Sequence, residues 1–316
     1  MEFKYKEVRV FAPATVANVS CGFDVMGFAL EAPGDEIVAR PGQEDGVVIT
    51  SITGDNGILP AESQKNTASV AVQALLDYLD AEISIELEVH KKMPLGSGLG
   101  SSAASSAGAV LAVNHLLGDP LPRKELLSFA AEGERVACGA AHYDNVAPSL
   151  LGGFVFIRSS QPPDLFNLPF PEQLHAAVLH PHIEIKTEDT RKVLRKEINL
   201  TQAVTQWGNV GGFVAGLMSK DLDLMARSME DVIIEPVRSV LIPGYDAVKE
   251  AALTQGAIGA GIAGSGPSIF ALTAGRAEAQ EVMAAMHAAL DAVGLPSDRH
   301  ISPINIKGAQ LIDAQE

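Results

Sequence analysis

Only two cysteines, Cys21 and Cys138, occur in 316 residues. They lie far apart and lack metal-ligand spacing, which leaves no basis for a disulfide framework or a cysteine-rich zinc site; they read as small buried thiols. Basic residues are also in deficit, with Lys+Arg 23 against Asp+Glu 39 and a net charge of −16. A field of that sign repels nucleic-acid backbones and anionic membranes, so any phosphate site has to be organised locally. No uncharged apolar run reaches the length of a membrane span, and Met1-Glu2-Phe3-Lys4-Tyr5-Lys6-Glu7 has no basic region leading into an apolar core. A cytoplasmic location is the resulting expectation. Internal repeats, coiled-coil heptads and low-complexity tails are absent as well.

What the chain does contain is 47% hydrophobic residues, ample for buried cores, over a length that suits two domains. In the first half the apolar pattern switches between strand and helix periods. Val8 to Ala12, Ile37 to Ala39 and Val47 to Ile52 read as strands; Asn66 to Leu79 reads as a helix capped by Asn66 or Thr67. Arg123 to Val136 reads as a further helix and Gly152 to Ile157 as a strand, followed by a proline-rich, loop-like stretch from Ser159 through Pro171. The second half has a strand at Ala176 to Leu179 and helices near Asp189 to Arg195, Val204 to Met218, Leu222 to Val232 and Tyr245 to Thr254. A strand, glycine turn and strand span Gly256 to Phe270, before a helix at Ala277 to Val293 and an edge strand at Ile304 to Ile306. Strands and helices in both halves predict an α+β architecture of two layers around a cleft.

The strongest local signal is Pro94-Leu95-Gly96-Ser97-Gly98-Leu99-Gly100-Ser101-Ser102-Ala103. It follows Ile83 to Val89, which alternates apolar and polar as a half-buried strand does, and precedes a small apolar run, Ala107 to Leu117, long enough for a helix. Glycines let backbone approach an anion closely, and the unpaired amides of a helix start favour negative ligands, so the string predicts a phosphate cradle. No lysine follows the glycines and their spacing is Gly-x-Gly-x-Gly, which fits neither the Walker loop nor the dinucleotide fingerprint.

This string resembles the Pro-x-x-x-Gly-Leu-Gly-Ser-Ser-Ala motif of the GHMP small-molecule kinases. Two further strings stand in the family's order: Pro13-Ala14-Thr15-Val16-Ala17-Asn18 through Gly22-Phe23-Asp24, and Gly261 through Pro267. The first lacks the Gly-Glu-His of galactokinases and mevalonate kinases and is similar to that of the homoserine kinases. So are Glu132-Gly133-Glu134, His142 through Ser149, Thr187 through Arg191, and Glu235 through Pro243. The resemblance covers almost the whole chain. It implies a two-domain GHMP fold, with a ribosomal protein S5 domain 2-like ATP-binding half (1–162) and a ferredoxin-like half (163–316). It further implies ATP-dependent phosphorylation of the L-homoserine hydroxyl, on the route to threonine.

By the same resemblance, Pro94, Leu95, Gly96, Ser97, Gly98, Leu99, Gly100, Ser101 and Ser102 surround the phosphates, with Gly264, Ser265 and Gly266 beside them. Asn66 belongs to the adenine neighbourhood, and Lys91 or Lys92 approaches the phosphates. Ser102 and Glu134 are the implied Mg²⁺ ligands, in keeping with the preference of magnesium for a hydroxyl, one carboxylate and waters. A zwitterionic amino acid needs a cation for its carboxylate and acceptors for its ammonium. Arg191 and Arg238 suit the first task, while Asn18, Asp24, Glu134, His142 and Thr187 are implied to line the rest. The base stays open: Asp144 matches the acidic residue proposed in mevalonate kinases, Asn145 could orient the hydroxyl instead, and a dedicated base is not required by a loose phosphoryl-transfer transition state. Homodimers are common in the family. Other readings compatible with the strings are a sister kinase for another small alcohol, a decarboxylase of the diphosphomevalonate type, or a ligand sensor that keeps the fold.

Overall fold

A computed structural model of the chain describes residues 2–139, 142–185 and 187–316; the side chains of residues 137, 138 and 187–189 lie outside that description. The chain opens with β1 (Glu7–Ala17) and β2 (Met26–Pro41), a long antiparallel pair, followed by β3 (Val47–Thr53). The outer end of β1 alternates buried and half-buried, whereas its inner end is covered on both faces. Helix α1 (Thr67–Tyr78) starts at Asn66, whose side chain accepts from the Ala68 amide. Next come β4 (Ile85–His90) and α2 (Ser101–Leu116), the latter built of alanines, serines and valines small enough to sit between the sheet and α1 with almost every side chain buried. Helices α3 (Leu126–Cys138) and α4 (Tyr143–Leu151) complete that layer.

The proline-rich stretch is a hairpin rather than a loop: β5 (Phe154–Ser160) pairs with β6 (Pro163–Leu168). Pro163 is tolerated because it is the first residue of an edge strand, where its missing N–H costs no ladder bond. The second half runs β7 (His175–Pro181), α5 (Thr187–Lys192), α6 (Leu200–Ser219) and α7 (Leu222–Ser228). It continues with α8 (Glu235–Arg238), α9 (Tyr245–Thr254), β8 (Gly259–Ile262), β9 (Ile269–Thr273) and α10 (Arg276–Asp291). Helix α7 stops short of Val232 because the Asp231 carboxylate accepts the amides of Ile233, Ile234 and Glu235 and so turns the chain into α8. In place of a strand at 304–306, β10 (Ser297–Pro303) pairs with β7, and Ile304 makes a single bridge to Leu30.

The last strand, β11 (Gln310–Gln315), returns to pair with β1. Among the described residues the first sheet therefore has seven strands, ordered β11-β1-β2-β4-β3 with β5 and β6 added on β2, and only the β3–β4 pair is parallel. The expected boundary at 162/163 falls inside the β5–β6 hairpin, so the first sheet draws on both sides of it. The second sheet, β10-β7-β9-β8, packs one face on α9 and α10 through Leu179, Ile269, Val248 and Met286. Its other face joins the first core, where the Phe270 ring lies 6.0 Å from that of Phe28. The cleft forms at the edge of that contact.

Candidate active site

Between β4 and α2 the chain turns through three left-handed glycines, Gly96, Gly98 and Gly100. At Gly98 a Cβ would lie 2.4 Å from the Ala263 carbonyl oxygen, and at Gly100 2.1 Å from Thr15 Oγ1, so side chains are excluded by space as well as by φ. The loop is clamped from both layers: the Thr15 amide donates to Leu99 O and the Ser268 amide to Ser97 O. Helix α2 begins directly at Gly100 with no side-chain cap, which leaves its opening amides and the positive end of its dipole for a ligand.

Under this turn lies a buried ion pair. Lys91 Nζ donates to the Asp35 carboxylate, to Ser101 O at 2.7 Å and to Ser105 Oγ at 2.8 Å. Asp35, with no exposure, also accepts from the amides of Lys92 and Met93 and from Ser101 Oγ. All three Lys91 protons are thus committed to the protein. Lys91 lines the cleft and its ammonium braces the first turn of α2, while Lys92 pairs with Glu36. Burial pulls the Lys91 ammonium below the usual lysine range.

A single cleft of about 340 Å³ joins this turn to the other expected residues. At one end it is lined by Leu59, Pro60 and Val89 together with Lys65, Asn66 and Thr67, a wall part apolar and part polar; in the middle stand Gly96, Ser97, Gly98, Gly100, Ser101 and Ser102, with Leu95, Gly264 and Ser265. Ser102 Oγ donates to Glu134 Oε1 at 3.1 Å, which brings a hydroxyl and a buried carboxylate together at the start of α2. Hard oxygen donors of this kind suit Mg²⁺. Pro94, Leu99 and Gly266 stand behind the lining; Leu99 is fully buried. The side chain of Thr187 lies outside the described residues.

The far end is polar and charged. Asn18 lines the cleft, its Nδ2 donating to Gly264 O at 2.7 Å and its Oδ1 accepting from the Asp24 amide at 3.0 Å. These two bonds hold Asp24 and the third glycine string together, with one Nδ2 hydrogen left over. Asn18, Val19, Ser20 and Asp24 all have positive φ, Val19 at 43°, a conformation a β-branched residue rarely adopts and one typical of strained functional loops. Arg191 Nη2 reaches Asp24 Oδ1 at 3.2 Å, with His142 Nδ1 3.8 Å from the same oxygen. Arg238, 4% exposed, donates to Gly264 O, and both guanidinium groups lie over the Phe23 ring.

Arg191 pairs with Asp24, the Asp144 carboxylate lies close to both Asp24 and His142, and Arg191 Nε is buried without a hydrogen-bond partner among the described residues. A guanidinium N–H left unspent suits an anionic ligand. Burial and the neighbouring Arg191 lower Arg238 to about 10, and the same two causes lower His142 so that it is neutral at neutral pH. Asp144, in the first turn of α4 and fully enclosed, is pushed up to about 7 by burial, then by the Asp24 and Glu134 charges. Asn145 Oδ1 accepts from Thr15 Oγ1 at 2.7 Å, so its amide is oriented against Gly100. Ligand atoms of Asp24, His142 and Asp144 lie within 4.8 Å of one another, but the Arg191 guanidinium on Asp24 makes this a poor cation site.

Sequence reading did not single out Thr15, Asp35 or Phe23 as functional. Thr15 and Phe23 stood inside a motif already quoted; Asp35 carried no local signal, since its partner is 56 residues away.

The family model for the GHMP kinases N terminal domain matches residues 66–153, and that for the GHMP kinases C terminal region matches 213–292. A curated homoserine kinase of Chlorobium phaeobacteroides (strain BS1) is 50% identical, over 97% of this chain and 100% of its own length. One from Chlorobaculum tepidum is 49% identical over 97% and 98%. The crystal structure of homoserine kinase from Cytophaga hutchinsonii ATCC 33406 superposes with a TM-score of 0.96 at 55% identity, covering 99% of both chains. A more remote likeness, the crystal structure of L. major mevalonate kinase in complex with R-mevalonate, shares 14% identity over 96% of this chain and 98% of its own, and at a TM-score of 0.70 shows the fold alone. With a GHMP model matched in each half of the chain and homoserine kinases aligned from end to end, the chain belongs to the GHMP kinases, in the homoserine kinase family.

Proposed function

We propose that this protein transfers the γ-phosphoryl group of ATP to the side-chain hydroxyl of L-homoserine, giving O-phospho-L-homoserine and ADP in the cytoplasm. The observation that carries the reading is the joining, in one cleft, of an uncapped helix start behind a glycine turn with a pocket that holds two guanidiniums beside the Asp24 and Asp144 carboxylates. The helix start suits the phosphates, and the apolar side chains of Leu59, Pro60 and Val89 suit the adenine. The Arg191 and Arg238 guanidiniums suit the α-carboxylate of an amino acid, and Asp24 its ammonium.

Phosphoryl transfer needs positioning and neutralisation of charge more than covalent help. The amides at Ser101 and Ser102 hold the β- and γ-phosphates, and the Lys91–Asp35 pair keeps that turn in place. Ser102 and Glu134 would hold Mg²⁺, whose chemistry is to neutralise charge on the phosphate oxygens. Arg191 and Arg238 fix the homoserine carboxylate so that its hydroxyl points back toward the phosphate turn, where Asn145, oriented by Thr15, accepts or donates to it. Asp144, titrating near neutrality, is matched to taking up the hydroxyl proton. The test is ADP release with MgATP against separate L-homoserine, L-threonine, L-serine, mevalonate and galactose, with product masses determined. Selective turnover of homoserine is the expected result; turnover of a different alcohol alone overturns the substrate, and nucleotide binding without any turnover overturns the kinase reading.

A further inference from the structure

Phe23 is a phenylalanine that the hydrophobic cores do not use. Its side chain is half-buried and belongs to neither apolar cluster, and among the described residues no other aromatic ring pairs with it. It lines the cleft instead, at the charged end that holds Asp24, His142, Arg191 and Arg238. A large apolar side chain set among charges needs a cause other than the burial of apolar area.

Local structure puts the ring there. The Val25 amide donates to Gly22 O at 3.0 Å, closing a turn whose two corners are Phe23 and Asp24. Asp24 sits at a φ of 58°, a corner conformation that aspartate tolerates, and a Cβ at Gly22 would lie 2.9 Å from Asn18 O, which fixes the start of the turn. Adjacent residues thus offer an aromatic face and a carboxylate to the same pair of cations. The guanidinium carbon of Arg238 is 4.9 Å from the centroid of the Phe23 ring and that of Arg191 5.9 Å, both within reach of attraction by the π face.

Two like charges brought to one ring repel each other; after burial, the neighbouring Arg191 is the next cause that holds Arg238 down to about 10. Hydrogen bonds could hold the pair, but each bond to a carbonyl or carboxylate spends an N–H that a ligand would otherwise take. Arg238 already donates to Thr190 O and Gly264 O, and Arg191 to Asp24. An aromatic face attracts a guanidinium without accepting any of its in-plane protons. We infer that Phe23 is a positioning residue, whose ring holds Arg191 and Arg238 side by side while leaving their remaining N–H groups for the carboxylate of the substrate. The inference rests on the homoserine reading of this pocket, and it makes Phe23 part of the selection for alcohols that carry a carboxylate.

Steady-state kinetics of the full chain test this with three changes: Phe23→Leu, pentafluorophenylalanine at position 23, and Phe23→Leu combined with Arg238→Ala. The fluorinated ring keeps the shape of phenylalanine and reverses the charge of its face, so its effect is not one of misfolding. Each change at position 23 alone is expected to lower kcat/KM for L-homoserine by ~10-fold or more, through KM, while KM for ATP moves less than ~3-fold. Beside Arg238→Ala, the Phe23→Leu change is expected to cost no more than ~3-fold, because one of the two groups through which it acts is gone. A fluorinated enzyme within ~2-fold of the wild type, a KM for ATP that rises in step, or a Phe23→Leu penalty undiminished beside Arg238→Ala overturns the inference and leaves the homoserine reading standing. A wild type that does not turn over homoserine overturns both.

Discussion

Replacing Lys91 by methionine should cost both fold stability and nucleotide affinity. The substitution keeps most of the aliphatic stem but leaves the Asp35 carboxylate, with no exposure, without its ion-pair partner. Amides of Lys92 and Met93 and the Ser101 hydroxyl remain as donors, so the carboxylate keeps hydrogen bonds while losing charge compensation. Breaking a buried pair from one side costs about 3–5 kcal/mol. The loss also frees Ser101 O and Ser105 Oγ from their shared cation, loosening the first turn of α2. Two readouts follow. Urea unfolding of Lys91→Met should show a loss of about 3–5 kcal/mol, and KM for ATP should rise by at least ~10-fold while KM for homoserine changes much less. The double variant Asp35→Asn/Lys91→Met removes the stranded charge and should recover more than half of the lost stability. A single variant within about 1 kcal/mol of wild type, or a double variant no better than the single, would refute the brace.

Three further changes separate the parts of the cleft. Arg238→Ala removes a buried guanidinium bonded to Gly264 O and should raise KM for homoserine by about 100-fold or more, leaving KM for ATP within about threefold in steady-state assays. Gly98→Ala forces a Cβ to 2.4 Å from the Ala263 carbonyl at a φ of +79°, and should abolish measurable ATP binding in calorimetry or lower the melting temperature by several degrees. For Asp144, held near 7 against an ordinary value of 3.8, the native state binds more protons than the unfolded chain between those pH values, so its stabilising contribution is full below about 4 and lost as pH rises through 7. Asp144→Asn should therefore stabilise the ligand-free protein above pH 7 by a few kcal/mol in denaturant titrations and flatten that part of the pH profile. If Asp144 is the base, kcat of the same variant falls by more than about a thousandfold with KM for homoserine preserved.

The phosphate turn was legible because its physical demand is local. Gly98 and Gly100 have to be glycine for reasons of φ and of close backbone approach, and those reasons leave a mark at fixed spacing. The Asn66 cap was legible for a like reason, its side chain bonding two residues on. What stayed hidden depends on ordinary residues meeting across the chain. Asp35 and Lys91 are 56 residues apart, Thr15 and Asn145 are 130 apart, and β11 returns to β1 from the other end of the molecule. None of these pairings has a period or a spacing to read. The hairpin at 154–168 was hidden by its prolines, which signal loops except at the start of an edge strand.

Asn18 shows how a residue noticed in a matched string can carry a second, structural task that no spacing reveals. As a polar side chain it reads as a ligand for substrate; in the fold its amide also bonds Gly264 O and the Asp24 amide. The same carbonyl of Gly264 accepts from Arg238, and Gly264 itself packs on Gly98 O of the phosphate turn. One carbonyl thus ties together the loop that carries Asp24, the helix that carries Arg238 and the turn that faces the phosphates. The strained φ values of residues 18–20 and 24 are tolerated because this knot over-determines them. Loosening Asn18 should accordingly disturb both substrates at once, whereas loosening a residue that touches only one of them should not.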